Sequence, residues 1–99
     1  METEYLIALD KFCASHNIEF SFISSLEQTG LIEVKTIKKT GFIHPDQLQQ
    51  LEKFIRFYYE LNINLEGIDT ITHLLNQIHS LQDEIITLRN KLRLYEDEL

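Results

Sequence analysis

Cys13 and His16 stand three residues apart, a spacing that puts two metal-ligating side chains on one face of a helix. Two ligands do not make a site, and the sequence forces no carboxylate to join them, so the pair reads as a buried thiol beside a surface imidazole. The same thiol with a histidine from elsewhere would mimic a cysteine nucleophile, but nothing supplies an oxyanion hole or a cleft. His73 and His79 fall outside the apolar stripe of the C-terminal segment and read as solvated. Tyr58-Tyr59 can place one ring in the core and one outward, which would make an anchor for a protein partner; equally, both rings can roof the core. Phe20 and Phe22 carry the same two readings. His44-Pro45-Asp46 reads first as a helix start, with proline at the first helical position and an acid in the first turn.

Size and charge narrow what these residues can do. The chain has 99 residues, 43% hydrophobic and 25% charged, enough for one small domain or one domain with an appended helix. That is too little for a cleft between two domains. Cys13 is the only cysteine, so neither an internal disulfide nor a cysteine-rich zinc site is expected. No glycine-rich phosphate loop occurs, and no metal, cofactor or reaction is expected. Nine Lys and Arg against sixteen Asp and Glu give a net charge of −7. A domain that grips nucleic acid ordinarily carries a basic face, so this balance favours a basic protein partner. The acidic start Met1-Glu2-Thr3-Glu4 is unlike a signal peptide, and no apolar run approaches the roughly 20 residues that span a bilayer. A cytoplasmic setting away from membranes is the expectation.

The elements that must position these residues follow from periodicity. Tyr5, Leu6, Leu9, Phe12 and Cys13 recur at helical spacing, with Thr3 as cap and Asn17 as a left-handed stop. Phe22, Ile23 and Leu26 mark a second short helix ending at Gly30, so a helix-turn-helix is predicted. Leu31–Ile37 is rich in β-branched residues; Lys38-Lys39-Thr40-Gly41 makes a turn and Phe42-Ile43 returns, a small hairpin. Leu48, Leu51, Phe54, Ile55 and Tyr58 give a third helix from Pro45, and Asn64 can cap a fourth. In that last helix Ile71, Leu74, Ile78, Leu81, Ile85, Leu88, Leu92, Tyr95 and Leu99 alternate at spacings of three and four, an a/d seam of four heptads. A helix from Asn64 to the C-terminus would be about 50 Å long, too long to bury its far end on a head of sixty residues. A second copy of the same helix is the expected partner, and the chain is expected to be a homodimer. The prediction is a mainly α protein: a head over residues 1–62 made of a helix-turn-helix, a small β-hairpin and a third helix, and a long coiled-coil dimerisation helix over 63–99.

This layout resembles that of MerR-type winged helix-turn-helix proteins. Thr29-Gly30-Leu31-Ile32 and Thr40-Gly41-Phe42-Ile43 resemble the passages flanking the wing in that superfamily, and Leu61 to Ile68 resembles its passage from the third helix to the dimer helix. Within it the chain is most similar to the chaperone modulatory protein CbpM family, in length, in the Leu61 to Ile68 handover with Gly67-Ile68 retained, and in the helix from Leu81 to Arg93. The match spans roughly residues 4–95. It implies a cytoplasmic adaptor that binds and inhibits the J-domain of a DnaJ-type co-chaperone. His44-Pro45-Asp46 is itself the signature triplet of J-domains, but a J-domain needs a basic amphipathic helix before it, and here a β-like stretch with Gly41 precedes it.

DNA-binding relatives carry Arg and Lys on the second helix and the wing. Here Glu19 to Gly30 holds no base and two acids, and Ile43 stands where relatives place an arginine. Only Lys35, Lys38 and Lys39 remain for phosphate, so DNA is an unfavourable ligand, and a MerR-like transcriptional regulator is the alternative reading. For a basic helical face of a J-domain, the acids off the core stripes are the candidate contacts: Glu19, Glu27, Glu52, Glu60, Glu66 and Asp69, with Tyr59 as anchor. Charge would set on-rate and specificity, and apolar anchors most of the affinity.

Overall fold

A computed structural model of the chain describes residues 5–98. The order of elements is β1 (Ile7–Ala8), α1 (Leu9–His16), α2 (Phe20–Gln28), β2 (Lys35–Ile37), β3 (Thr40–Ile43), a 3-10 turn (Pro45–Gln47), α3 (Leu48–Ile55), a π-helical turn (Arg56–Glu60) and α4 (Leu65–Glu98). The fold is mainly helical, with one three-stranded antiparallel sheet in the order β1-β3-β2. Its contacts divide into a head, Met1–Asp69, and a C-terminal unit, Thr70–Leu99.

α1 and α2 stop where the sequence offers a left-handed residue. Asn17 has φ 56° and ψ 48°; the Ile18 N–H reaches back to the Cys13 carbonyl at 3.0 Å. Gly30 has φ 83°, and the Leu31 N–H donates to the Leu26 carbonyl at 3.0 Å. Both closures are Schellman motifs, which satisfy carbonyls that the helix leaves orphaned. The three residues between α1 and α2 form the turn of the helix-turn-helix. α4 opens as expected at Asn64, whose Oδ1 accepts the Gly67 N–H at 2.8 Å.

Three local expectations need correction. The first helix begins at Leu9, not near Tyr5. Ala8 is extended (φ −71°, ψ 127°), and Ile7 and Ala8 pair with Ile43 and Phe42. Leu9, Phe12 and Cys13 meet the helical spacing by themselves, and β-branched Ile7 gains ladder partners as a strand. Tyr5 is exposed, and the Thr3 cap lies outside the described residues.

The hairpin turn is shorter than expected. It consists of Lys38 (φ 51°) and Lys39 (φ 69°) alone, with Thr40 already paired to Ile37. Two residues with positive φ are the hallmark of a type I′ loop, whose twist suits antiparallel strands. Gly41 lies in β3 instead. A Cβ there would meet Val34 Cγ1 at 3.2 Å and Leu9 Cδ1 at 3.3 Å, so glycine serves close packing rather than the turn. Finally, Pro45 opens a 3-10 turn, with α3 proper starting at Leu48.

The head's core is apolar: Leu9, Phe12 and Cys13 from α1, Phe22, Ile23 and Leu26 from α2, Ile32, Ile43, Leu51 and Phe54, and Ile68 from the first turn of α4. Ile63 and Leu65 pack against it. Gln47 ties the segment before β2 to the 3-10 turn, since its side-chain amide accepts from the Glu33 N–H at 2.7 Å and donates to the Glu33 carbonyl at 2.8 Å.

Candidate functional site

Among the described residues no group of three His, Cys, Asp or Glu is placed to hold a metal ion. Cys13 is buried, and burial, with a smaller contribution from the negative charge of Asp10, raises its thiol pKa above the ordinary value. His16 is exposed and stacks on Phe12 at 4.0 Å between ring centroids, with Nδ1 3.1 Å from the Phe12 carbonyl. His44 Nδ1 and Asp46 Oδ2 approach to 3.5 Å at the surface, across the proline that starts the 3-10 turn.

The surface with most chemical character lies where the π-helical turn meets α2. The Leu61 N–H donates to the Arg56 carbonyl at 3.1 Å and the Ile63 N–H to the Phe57 carbonyl at 2.9 Å, a winding wider than the α-helical one. Such turns gather at functional sites. Asn62 takes a left-handed conformation (φ 57°) as the chain turns toward α4. Tyr58 stacks on the buried Phe22 ring at 4.5 Å and 29°. Tyr59 meets Phe22 edge-on at 5.5 Å and 74°, and Tyr58 at 5.1 Å and 79°. The Tyr59 hydroxyl accepts the backbone N–H of Glu19 at 3.1 Å, which locks the ring against the start of α2.

Both tyrosines thus roof Phe22 while remaining 38% and 40% exposed, and Phe20, two residues before Phe22 on α2, is 56% exposed. Of the two readings of the Tyr58-Tyr59 pair, the second describes the arrangement: both rings cover the core at Phe22, and both keep an exposed part. An open depression of about 350 Å³ adjoins the rings, lined by Tyr58, Tyr59, Asn62, Ile63 and Asn64.

Of the acids selected from the sequence, Glu19 joins this surface directly. Its carboxylate accepts from Ser21 Oγ at 3.3 Å, and Glu60 ends the π-helical turn. Glu27 and Glu52 are exposed on α2 and α3, and Glu66 and Asp69 lie in the first two turns of α4. Sequence reasoning missed the roles of Phe22 and Tyr58 as the platform under Tyr59, because α2 and the π-helical turn are some forty residues apart along the chain.

The wing and α2 are where a helix-turn-helix would meet a ligand. α2 buries Phe22, Ile23 and Leu26 and turns Phe20, Ser21, Glu27 and Gln28 outward. Lys35, Lys38 and Lys39 are exposed on the wing. The model of the MerR helix-turn-helix family of regulatory proteins matches residues 7–90. The chain belongs to that family. No curated protein and no solved structure gives a match. The MerR-type head thus carries an outward α2 face without a base and a wing with three.

In the C-terminal unit α4 runs on to Glu98. Leu74, Ile78, Leu81, Ile85, Leu88, Leu92 and Tyr95 of the seam are all exposed, Ile78 and Ile85 at 47% each, and Ile71 is half-buried. Leu99 lies outside the described residues. Ile86 and Leu94, off the seam, are exposed as well. No helix among the described residues is long and apolar enough to cross a membrane.

Proposed function

We propose that this chain is a non-catalytic adaptor that binds the J-domain of a DnaJ-type co-chaperone and inhibits it, as the resemblance to the chaperone modulatory protein CbpM family implies. The observation that carries this reading is the outward face of α2, Phe20, Ser21, Glu27 and Gln28, which offers an aromatic ring and an acid where phosphate binding demands bases. A J-domain engages its DnaK-type chaperone through a basic helical face, and an acidic surface with aromatic anchors is complementary to it. Glu19, Glu27, Glu52, Glu60, Glu66 and Asp69 supply the charge in this reading and Tyr59 an anchor. The active form is a homodimer through the α4 seam, because exposed Leu and Ile at a and d positions stabilise a helix chiefly by packing on another helix. The setting is cytoplasmic, with the J-protein.

Calorimetry of the full chain with the J-domain of the same organism tests the proposal. The expected result is binding at low salt that weakens as salt rises and a loss of J-stimulated ATPase activity. No binding at low salt would remove the adaptor reading.

The second reading, a DNA-binding regulator, is favoured by one observation, the exposed Lys35, Lys38 and Lys39 of the wing. It requires contacts by both heads of a dimer to a symmetric operator. A gel shift over genomic fragments at low salt separates the two.

A further inference from the structure

We infer that Tyr58, Tyr59 and Glu19 form a receptor for a single cationic side chain, an arginine or lysine carried on a protein partner's helix. The proposal rests on the adaptor reading only for the identity of the protein that supplies the cation.

The two tyrosine rings stand at 79° to each other with centroids 5.1 Å apart, so they form two walls of a corner. The corner is held from both sides before any ligand arrives. Phe22, 4% exposed, supports Tyr58 from beneath, and the Glu19 N–H fixes the Tyr59 hydroxyl. A pre-set aromatic corner binds without the entropy cost of ordering its side chains. Aromatic ring faces are electronegative and attract a cation within about 6 Å of the centroid.

The charges around the corner have the matching sign. Glu19 occupies the position just before α2, its backbone N–H on the Tyr59 hydroxyl, and Glu60 follows Tyr59 in the chain. Arg56, the base of the π-helical turn, lies about one turn before Glu60, and the two carboxylates Glu19 and Glu60 outnumber it. The adjoining depression is lined by Asn62, Ile63 and Asn64 together with the rings, which gives an aliphatic side-chain stem an apolar wall and neutral amides to lie along. An anionic or phosphorylated ligand would meet Glu19 and Glu60 instead, and a purely apolar one would leave the carboxylates without a partner. The π-helical turn accounts for the geometry: its wider winding places two consecutive tyrosines against one ring of α2.

The probe is a helical alanine–glutamine peptide with one central arginine, and its twin with neutral, isosteric citrulline. Each is titrated into the full chain, with aromatic NMR resonances of Tyr58 and Tyr59 as the readout. The expected result is saturable movement of both ring systems with the arginine peptide, and affinity lower by roughly 2- to 5-fold with the citrulline twin, the range for a cation over an exposed ring. Tyr59→Leu and Tyr58→Leu keep an apolar roof over Phe22 and should lose the arginine preference, and Glu19→Gln should weaken it without changing the fold. Equal response to the two peptides, or no ring movement, overturns the receptor. The same variants titrated with the J-domain tell the two proposals apart. A J-domain that binds wild type and both leucine variants alike sinks the receptor and leaves the adaptor standing. A J-domain that binds none of them, while arginine discrimination in the peptide series holds, sinks the adaptor and leaves the receptor.

Discussion

At the scale of single residues, Asn64 and Gly67 act as one device. The Asn64 side chain accepts the Gly67 N–H, and a Cβ on Gly67 would come within 2.7 Å of Ile63 Cγ2 and 3.1 Å of Asn64 Oδ1. Asn64→Ala should cost about 1 kcal/mol by urea denaturation, the usual loss of an N-cap. Gly67→Ala tests the sign of two opposed effects. Helix propensity favours alanine by about 1 kcal/mol, but the added methyl must displace a β-branched side chain and the capping amide. The clash should win, and the variant should unfold at lower urea than wild type. Cys13 gives a pH prediction. Its thiol is harder to ionise in the folded chain, so the unfolded chain releases that proton at lower pH. Below the ordinary thiol pKa the residue makes no pH-dependent contribution; as pH rises past it, stability falls. Native protein at pH 8 should react with a disulfide reagent at least about tenfold more slowly than protein in urea, followed by absorbance.

At the scale of elements, legibility depended on whether a feature was local. Asn17, Gly30 and Asn64 each announced a helix boundary, because the chemistry of a cap is contained within five residues. The two-residue strand β1 was illegible: Ile7 and Ala8 make no pattern alone, and their partners are Phe42 and Ile43. The wing turn misled for another reason. Gly41 looked like the turn residue but is retained by the approach of Val34 and Leu9, while two lysines hold the positive-φ positions that asparagine and glycine occupy more easily. The double variant Lys38→Asn with Lys39→Gly should therefore raise stability by about 1 kcal/mol, measured by thermal unfolding. If it lowers stability, the lysines contribute something that the turn geometry does not contain. Of the candidate site, Tyr59 and Glu19 were visible as exposed types, but their hydrogen bond spans forty residues, and no spacing rule connects them.

At the scale of the whole molecule, the seam of α4 makes the sharpest demand. Its side chains are each worth on the order of 1.5–3 kcal/mol when fully buried, and between Leu74 and Tyr95 they are exposed in the single chain. Ile78→Glu combined with Ile85→Glu should give monomers or poorly soluble heads by light scattering. A double variant that stays a stable dimer would move the dimer contact to the heads. The direction of the helices in the proposed dimer is open to a different instrument. Because the lone thiol is sealed in the core of the head, a cysteine in the variant Glu96→Cys would be the one that a spin label reaches, and the native cysteine can stay in place. Electron-electron distances between two such labels then act as a ruler along the seam. Parallel helices would hold them roughly 10–15 Å apart, given interaxial spacings of 8–10 Å. Antiparallel helices overlapping through the heptads would hold them about 30 Å apart or more, at 1.5 Å of rise per residue.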